Sequence, residues 1–201
     1  MSDTSYHHGN LQQAIIDHAA SMLRDDQNAD LSLRRIAREL GVSHQAPYRH
    51  FATKDDVLAA VRADGFDRLT RTIQAAIAQH PRSRRLQLET ATWSYVRSAL
   101  DNPAVYQLMF GGEIESKDWG ERQRVCAGES LSALASILSL DSSIPVDAST
   151  LHRARLIWAT MHGIASLQIN GLLGCDERRI RSMVADTCEF WMKSFESVSQ
   201  Q

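Results

Sequence analysis

The stretch Ser32 to Asp56, SLRRIARELGVSHQAPYRHFATKDD, decides the fold. Between Ser32 and Lys54 it carries Arg34, Arg35, Arg38, Arg49 and Lys54 against Glu39 alone, a local charge of +4 within a chain of net -2, which leaves -6 for all other residues. A basic patch so confined marks a place where an anionic partner is met. The spacing says how. Ser32 is placed as an N-cap, Leu33, Ile36, Ala37 and Leu40 fall on one helical face, and Gly41 is the residue that most easily takes the left-handed conformation just past a helix end. A second short helix is expected from Ser43 to about Phe51, after the turn Gly41-Val42-Ser43. Two short helices so joined have the spacing of a helix-turn-helix, whose second helix enters the major groove of DNA.

The outer face of that second helix would carry Ser43, His44, Gln45, Tyr48, Arg49 and His50, donors and acceptors suited to base edges and phosphates. Pro47 lies inside it. Lacking an N–H and crowding the carbonyl four residues back, this proline predicts a helix that starts late or tight. A helical hairpin with a solvated charged face is the plainer alternative, but it leaves the tight turn and the local charge unexplained.

Outward from this segment, helical spacing dominates and no stretch alternates with period two. Helices are expected over Leu11 to Arg24, from a Thr53-to-Asp56 capping box into a long helix reaching Ile77, over Arg84 to Leu100, briefly after Asn102 and Pro103, over Trp119 to Leu138, Ala148 to Leu173 and Glu177 to Ser197. The fold class is all-α: a three-helix DNA-binding domain, residues 1–55, joined through the long helix to a helical ligand-binding and dimerisation domain, residues 56–201.

At 201 residues and 43% hydrophobic content the chain can bury a sizeable core. Three cysteines, Cys126, Cys175 and Cys188, with no C-x-x-C spacing, read as packing residues in a reducing compartment. The N-terminus has no secretory pattern, and a cytoplasmic protein is expected. Leu156 to Cys175 is uncharged over 20 residues, a length that could span a bilayer, but Thr160, His162, Ser166, Gln168 and Asn170 favour a helix buried in protein. His7, His8, His18 and Asp17 lack metal-ligand spacing, and no nucleophile elbow, phosphate loop or paired-carboxylate motif is present. Neither an enzyme nor a cofactor is expected.

The segment LSLRRIARELGVSHQAPYRHFATKDDVLAAV resembles the DNA-binding region of TetR-family transcriptional regulators, over about Tyr6 to Val61. WATMHGIASLQINGLL resembles the C-terminal domain of a subgroup marked by Trp, His and Gly, here Trp158, His162 and Gly163, in which YHHGNL is also frequent near the N-terminus. The resemblance implies a homodimer on a palindromic operator in double-stranded DNA, released by a small-molecule effector. Carried onto this chain, it sets Ser43, His44 and Gln45 nearest the bases, Ala46 against a thymine methyl, and Tyr48, His50, Lys54 and Ser32 on phosphates. Arg34, Arg35 and Arg49 are assigned from charge and position. Pro47 departs from the apolar residue, such as Leu, usual in the family.

Beyond the basic stretch, Trp93, Val96, Tyr106, Phe110, Trp158 and His162, with Phe66 reaching from the long helix, suit a mostly apolar cavity with few polar anchors. Each taken alone is a core residue. Ile164, Leu167, Leu172, Ile180, Met183, Val184, Cys188, Trp191 and Phe195 offer more apolar surface than one protomer hides and predict a twofold interface of the last two helices. The alternative function is a helical small-molecule-binding or adaptor protein that does not read DNA.

Overall fold

The computed structural model describes residues 11–26, 29–111, 119–139 and 146–198; His7, His8 and the loop through Pro145 lie outside these residues, as do the side chains of Trp119, Cys126 and Phe195. Among the described residues every regular element is helical. In order they are α1 (Leu11–Asp25), α2 (Leu33–Glu39), a 3₁₀ turn (Pro47–Arg49), α3 (Lys54–Ala78), α4 (Arg84–Asp101), α5 (Pro103–Phe110), α6 (Trp119–Leu138), α7 (Ala148–Ile169) and α8 (Glu177–Val198). The chain is all-α, with an N-terminal helix-turn-helix.

The fold divides into two compact units: Met1–Gly65 with Ala104–Gln123, and Phe66–Pro103 with Arg124–Gln201. The division falls inside α3, ten residues beyond the expected 55/56 boundary, and α5 joins the first unit. Local packing accounts for this. Arg62 on α3 is almost fully buried, and its Nε donates to the Leu108 carbonyl at 2.6 Å while a second guanidinium nitrogen donates to the Gly111 carbonyl. These are carbonyls that the end of α5 leaves without helical partners. Burial lowers the Arg62 pKa, yet a guanidinium remains charged. Nearby, a Cβ built on Gly65 would stand 2.8 Å from Met109 Sδ, so the absent side chain lets α5 approach.

The first unit's core is formed by Ile15, Ile16 and Ala19 of α1, Leu33 and Ile36 of α2, Phe51, and Val57 and Val61 of α3, with Ala104 of α5. Each buried Ile, Leu, Val or Phe contributes about 1.5–3 kcal/mol. In the second unit α4 packs against α7 and α8. Leu88, Ala91, Thr92, Tyr95, Val96 and Ala99 form the buried face of α4, met by Ile157, Met161, Ile164 and Ala165 of α7 and Ile180, Val184 and Cys188 of α8.

The caps are chemically explicit. Ser32 Oγ accepts from the Arg35 N–H at 3.3 Å. At the end of α2, Gly41 has φ +68°, the Val42 N–H donates to Ala37 O at 3.0 Å and the Gly41 N–H to Arg38 O at 3.2 Å, the two bonds of a Schellman motif. Thr53 and Asp56 form the expected capping box: Thr53 Oγ1 accepts from the Asp56 N–H at 3.2 Å and Asp56 Oδ2 from the Thr53 N–H at 2.8 Å. The same Schellman pair, Leu172 N–H to Leu167 O at 2.9 Å and Gly171 N–H to Gln168 O at 3.0 Å, ends α7 at Ile169 instead of Leu173. No helix among the described residues is long and apolar enough to cross a membrane.

Candidate DNA-contact surface and effector cleft

The expected helix from Ser43 to Phe51 is instead a turn leading into the 3₁₀ turn Pro47–Arg49. Pro47 is the reason. It has no N–H to give to Ser43 O; that carbonyl accepts from the Ala46 N–H at 2.9 Å, a contact one residue tighter than in an α-helix. The first contact of α-helical span in this segment is the Phe51 N–H to Pro47 O at 3.0 Å. Buried Pro47 and Phe51 seat the segment on the core, while Ser43, His44, Gln45, Tyr48, Arg49 and His50 are exposed and Ala46 is half-buried.

Arg34, His44, Gln45 and Tyr48 line one open depression, so an arginine of α2 and three side chains of the turn present a common polar surface. Tyr48, 45% exposed, offers its ring and hydroxyl there. Arg35 does not share this surface. Its Nε lies 2.7 Å from Glu39 Oε1, and that contact raises the guanidinium pKa. Glu39 also meets His18 Nε2 at 2.8 Å, and Arg35, then His18, hold its carboxyl below the ordinary range. Lys54 is exposed at the first position of α3, beside Asp55 and Asp56. Ser32 spends an oxygen lone pair on its cap and keeps its hydroxyl proton to donate.

In the second unit, Ile73, Ala91, Thr92, Tyr95, Ser130, Leu131, Leu134, Trp158 and Met161 line an apolar cleft. Of the residues expected to contact an effector, Trp158 lines it. Val96 is fully buried in the core, as is Phe66, and Trp93 lies under the Arg181 guanidinium, 5.5 Å from its ring centre. Tyr106 and Phe110 belong to the first unit, where their rings pair at 4.8 Å. The structure therefore does not assemble the expected set.

His162 stands behind the cleft in a polar chain. Trp158 Nε1 donates to Tyr95 Oη at 3.3 Å, Tyr95 Oη is 3.3 Å from His162 Nδ1, and His162 Nε2 is 3.4 Å from Ser166 Oγ. Because indole can only donate, the tyrosine oxygen accepts there and its proton is available to Nδ1, an arrangement suited to a neutral ring. Burial lowers the His162 pKa in the same sense. Tyr95, Thr92, Ser130 and Met161 were not singled out by sequence reasoning; the run Leu88, Thr92, Tyr95, Ala99 at helical spacing was the available signal.

On α7 and α8, Ile164, Ile180, Val184 and Cys188 are buried within the protomer. What remains outward is Leu167, Leu172 and Phe190, the last 63% exposed and edge-on to Trp191 at 5.4 Å. Among the described residues no group of three or more His, Cys, Asp or Glu could hold a metal ion.

Comparison with known proteins places this geometry. Residues 15–61 match the model of bacterial regulatory proteins of the tetR family, and residues 88–187 match that of the tetracyclin repressor-like C-terminal domain. An HTH-type transcriptional regulator of Mycobacterium bovis is 24% identical, with 83% of each chain covered. Among solved structures, a protein of unknown function from Rhodococcus sp. RHA1 is 29% identical with a TM-score of 0.77, over 95% of this chain and 98% of that one. The regulator FadR from Bacillus subtilis, in complex with stearoyl-CoA, shares the fold at 14% identity and TM-score 0.68, over 88% of this chain and 97% of that one. With a family model matched in each unit, the chain belongs to the TetR family and is a DNA-binding transcriptional regulator.

Proposed function

We propose that the protein is a repressor that binds a palindromic operator as a homodimer and is released by a small apolar effector held in the second-unit cleft. The observation that carries this reading is the common surface of Arg34, His44, Gln45 and Tyr48 on the helix-turn-helix. In the proposed complex Gln45 and His44 meet base edges, and Arg34, Tyr48, His50 and Lys54 hold phosphates. Exposed Leu167 of α7, Leu172 of the connection after it and Phe190 of α8 support a dimer interface along α7 and α8. The continuity of α3, which begins at Lys54 beside the turn and contributes Ile73 to the cleft lining, supports coupling of effector to DNA. An effector acts only by binding one arrangement of the dimer better than another. A coupling of about 1–3 kcal/mol would lower operator affinity some 5- to 150-fold.

The test is a fluorescence-anisotropy titration of the full chain against operator fragments selected from random duplexes, repeated over a salt series. The expected result is selection of palindromes with half-sites one helical turn apart and affinity falling steeply with salt. Affinity indifferent to salt, or no enrichment of any sequence, would remove this reading in favour of a ligand-binding module that does not read DNA.

A further inference from the structure

Thr70 on α3 and Ser130 on α6 form a hydroxyl pair beside the cleft, with Oγ1 and Oγ 2.8 Å apart and Thr70 only 6% exposed. A helical threonine commonly returns its proton to a carbonyl one turn back, as Thr72, Thr92, Thr160 and Thr187 do. Thr70 and Ser130 do not: among the described residues each hydroxyl is bonded only to the other. Two hydroxyls carry two protons, and their mutual bond uses one. Whichever of them donates, one proton has no protein acceptor among the described residues, and half-buried Ser130 can turn its own into the cleft.

Ser130 lines the cleft, with Ile73, Leu131, Leu134, Met161 and the Trp158 indole around it. No described lining residue bears a formal charge, so an anionic ligand would lose its hydration there without meeting a cation. The cleft's cavity volume is about 30 Å³, room for a small polar group, and it opens to a wider mouth.

We propose that this cleft takes an uncharged, mostly apolar molecule that enters by a single hydrogen-bond-accepting oxygen, such as that of a ketone, ester or ether. The oxygen accepts the spare proton of the Thr70 and Ser130 pair, and the apolar body packs on Trp158, Leu134 and Met161. This assignment deepens the effector reading above and rests on it for its consequence at DNA. Thr70 sits on the helix that starts at Lys54, so a ligand oxygen that takes the Ser130 proton fixes Thr70 of α3 as the donor within the pair.

The experiment is calorimetric titration of the full chain with acetophenone, ethylbenzene and benzoate, which share a ring and differ in the oxygen and the charge. Acetophenone is expected to bind about fivefold more tightly than ethylbenzene, the worth of one net hydrogen bond, with benzoate weakest. In Ser130→Ala the ketone's advantage falls to within about twofold while ethylbenzene binds as before. Thr70→Ser, which keeps both hydroxyls, retains the advantage. Benzoate binding tightest, neither neutral probe binding, or an unchanged ratio in Ser130→Ala would overturn the assignment. Operator affinity is measured separately with and without acetophenone. Binding of the ketone with no change at the operator would leave the ligand site standing and remove the effector reading; operator binding by a protein that ignores all three probes would do the reverse.

Discussion

Arg35 Nε lies 2.7 Å from Glu39 Oε1, four residues along α2, so one of the basic stretch's arginines is already paired inside the protein. Arg34, its neighbour in sequence, lines the surface shared with Gln45 and Tyr48. Arg34→Ala should therefore weaken DNA binding more than Arg35→Ala. Glu39→Gln frees Arg35 and should raise affinity for random DNA, steepening the salt dependence by about one phosphate contact. Equal losses for the two arginine variants in anisotropy titrations would contradict this division.

Gln45→Ala should cost the operator about 1–3 kcal/mol, the worth of a good bidentate base contact, and leave random DNA nearly unaffected. Lys54→Ala should weaken both alike. Competition titrations with operator and shuffled duplexes separate the two outcomes, and a Gln45 variant that loses both equally is not reading bases.

Pro47→Leu restores an N–H at position 47 and should let it donate to Ser43 O, converting the 3₁₀ turn into an α-helix from about His44. Carbon chemical shifts of residues 44–50 would register the change, and the selected operator sequence should shift with it. Unchanged shifts would show that the buried core contacts of this segment, and not the missing donor, set its conformation.

Arg62→Ala removes the donor to the Leu108 and Gly111 carbonyls and empties a buried volume. The loss should be about 2–4 kcal/mol by urea unfolding, from unsatisfied carbonyls plus lost packing of the arginine stem. Arg62→Lys, a point donor without the fork, should recover only part of it.

The lowered pKa of His162 makes stability depend on pH in a definite sense. The unfolded chain takes up its proton near the ordinary imidazole value of about 6.5, while the folded ring resists until lower pH. The neutral ring's contribution is thus fully present above about pH 6.5 and is lost as pH falls through the window down to the folded pKa. Thermal melts of the wild type and His162→Gln should converge on acidification below about pH 6. A gap that widens there would reverse the assigned protonation.

The ends of α2 and the start of α3 were legible in the sequence because each is decided within a few residues: Ser32, Gly41 and the Thr53–Asp56 box cap where their chemistry says. Pro47's effect was legible as a late, tight start, though not as the reduction of a whole helix to Pro47–Arg49. The apolar cleft was not. Trp93 and Phe110 stand out by size, but Trp93 is covered by Arg181 and Phe110 by Tyr106. The first contact crosses from α4 to α8, which residue spacing does not record; the second joins neighbours four apart on α5, and what spacing does not record there is that α5 belongs to the first unit. Smaller Thr92 and Ser130 line the cleft because α4 and α6 turn them there.

In the proposed complex the turn Ser43 to His50 meets DNA held by few backbone bonds, with a proline ring anchored in the core. Ordering the exposed side chains around it on a duplex is a loss of conformational freedom that a preformed recognition helix would have met during folding. Operator binding should therefore be more enthalpic and more opposed by entropy than in a relative whose helix is complete, with the difference growing as the DNA contacts order more of the turn.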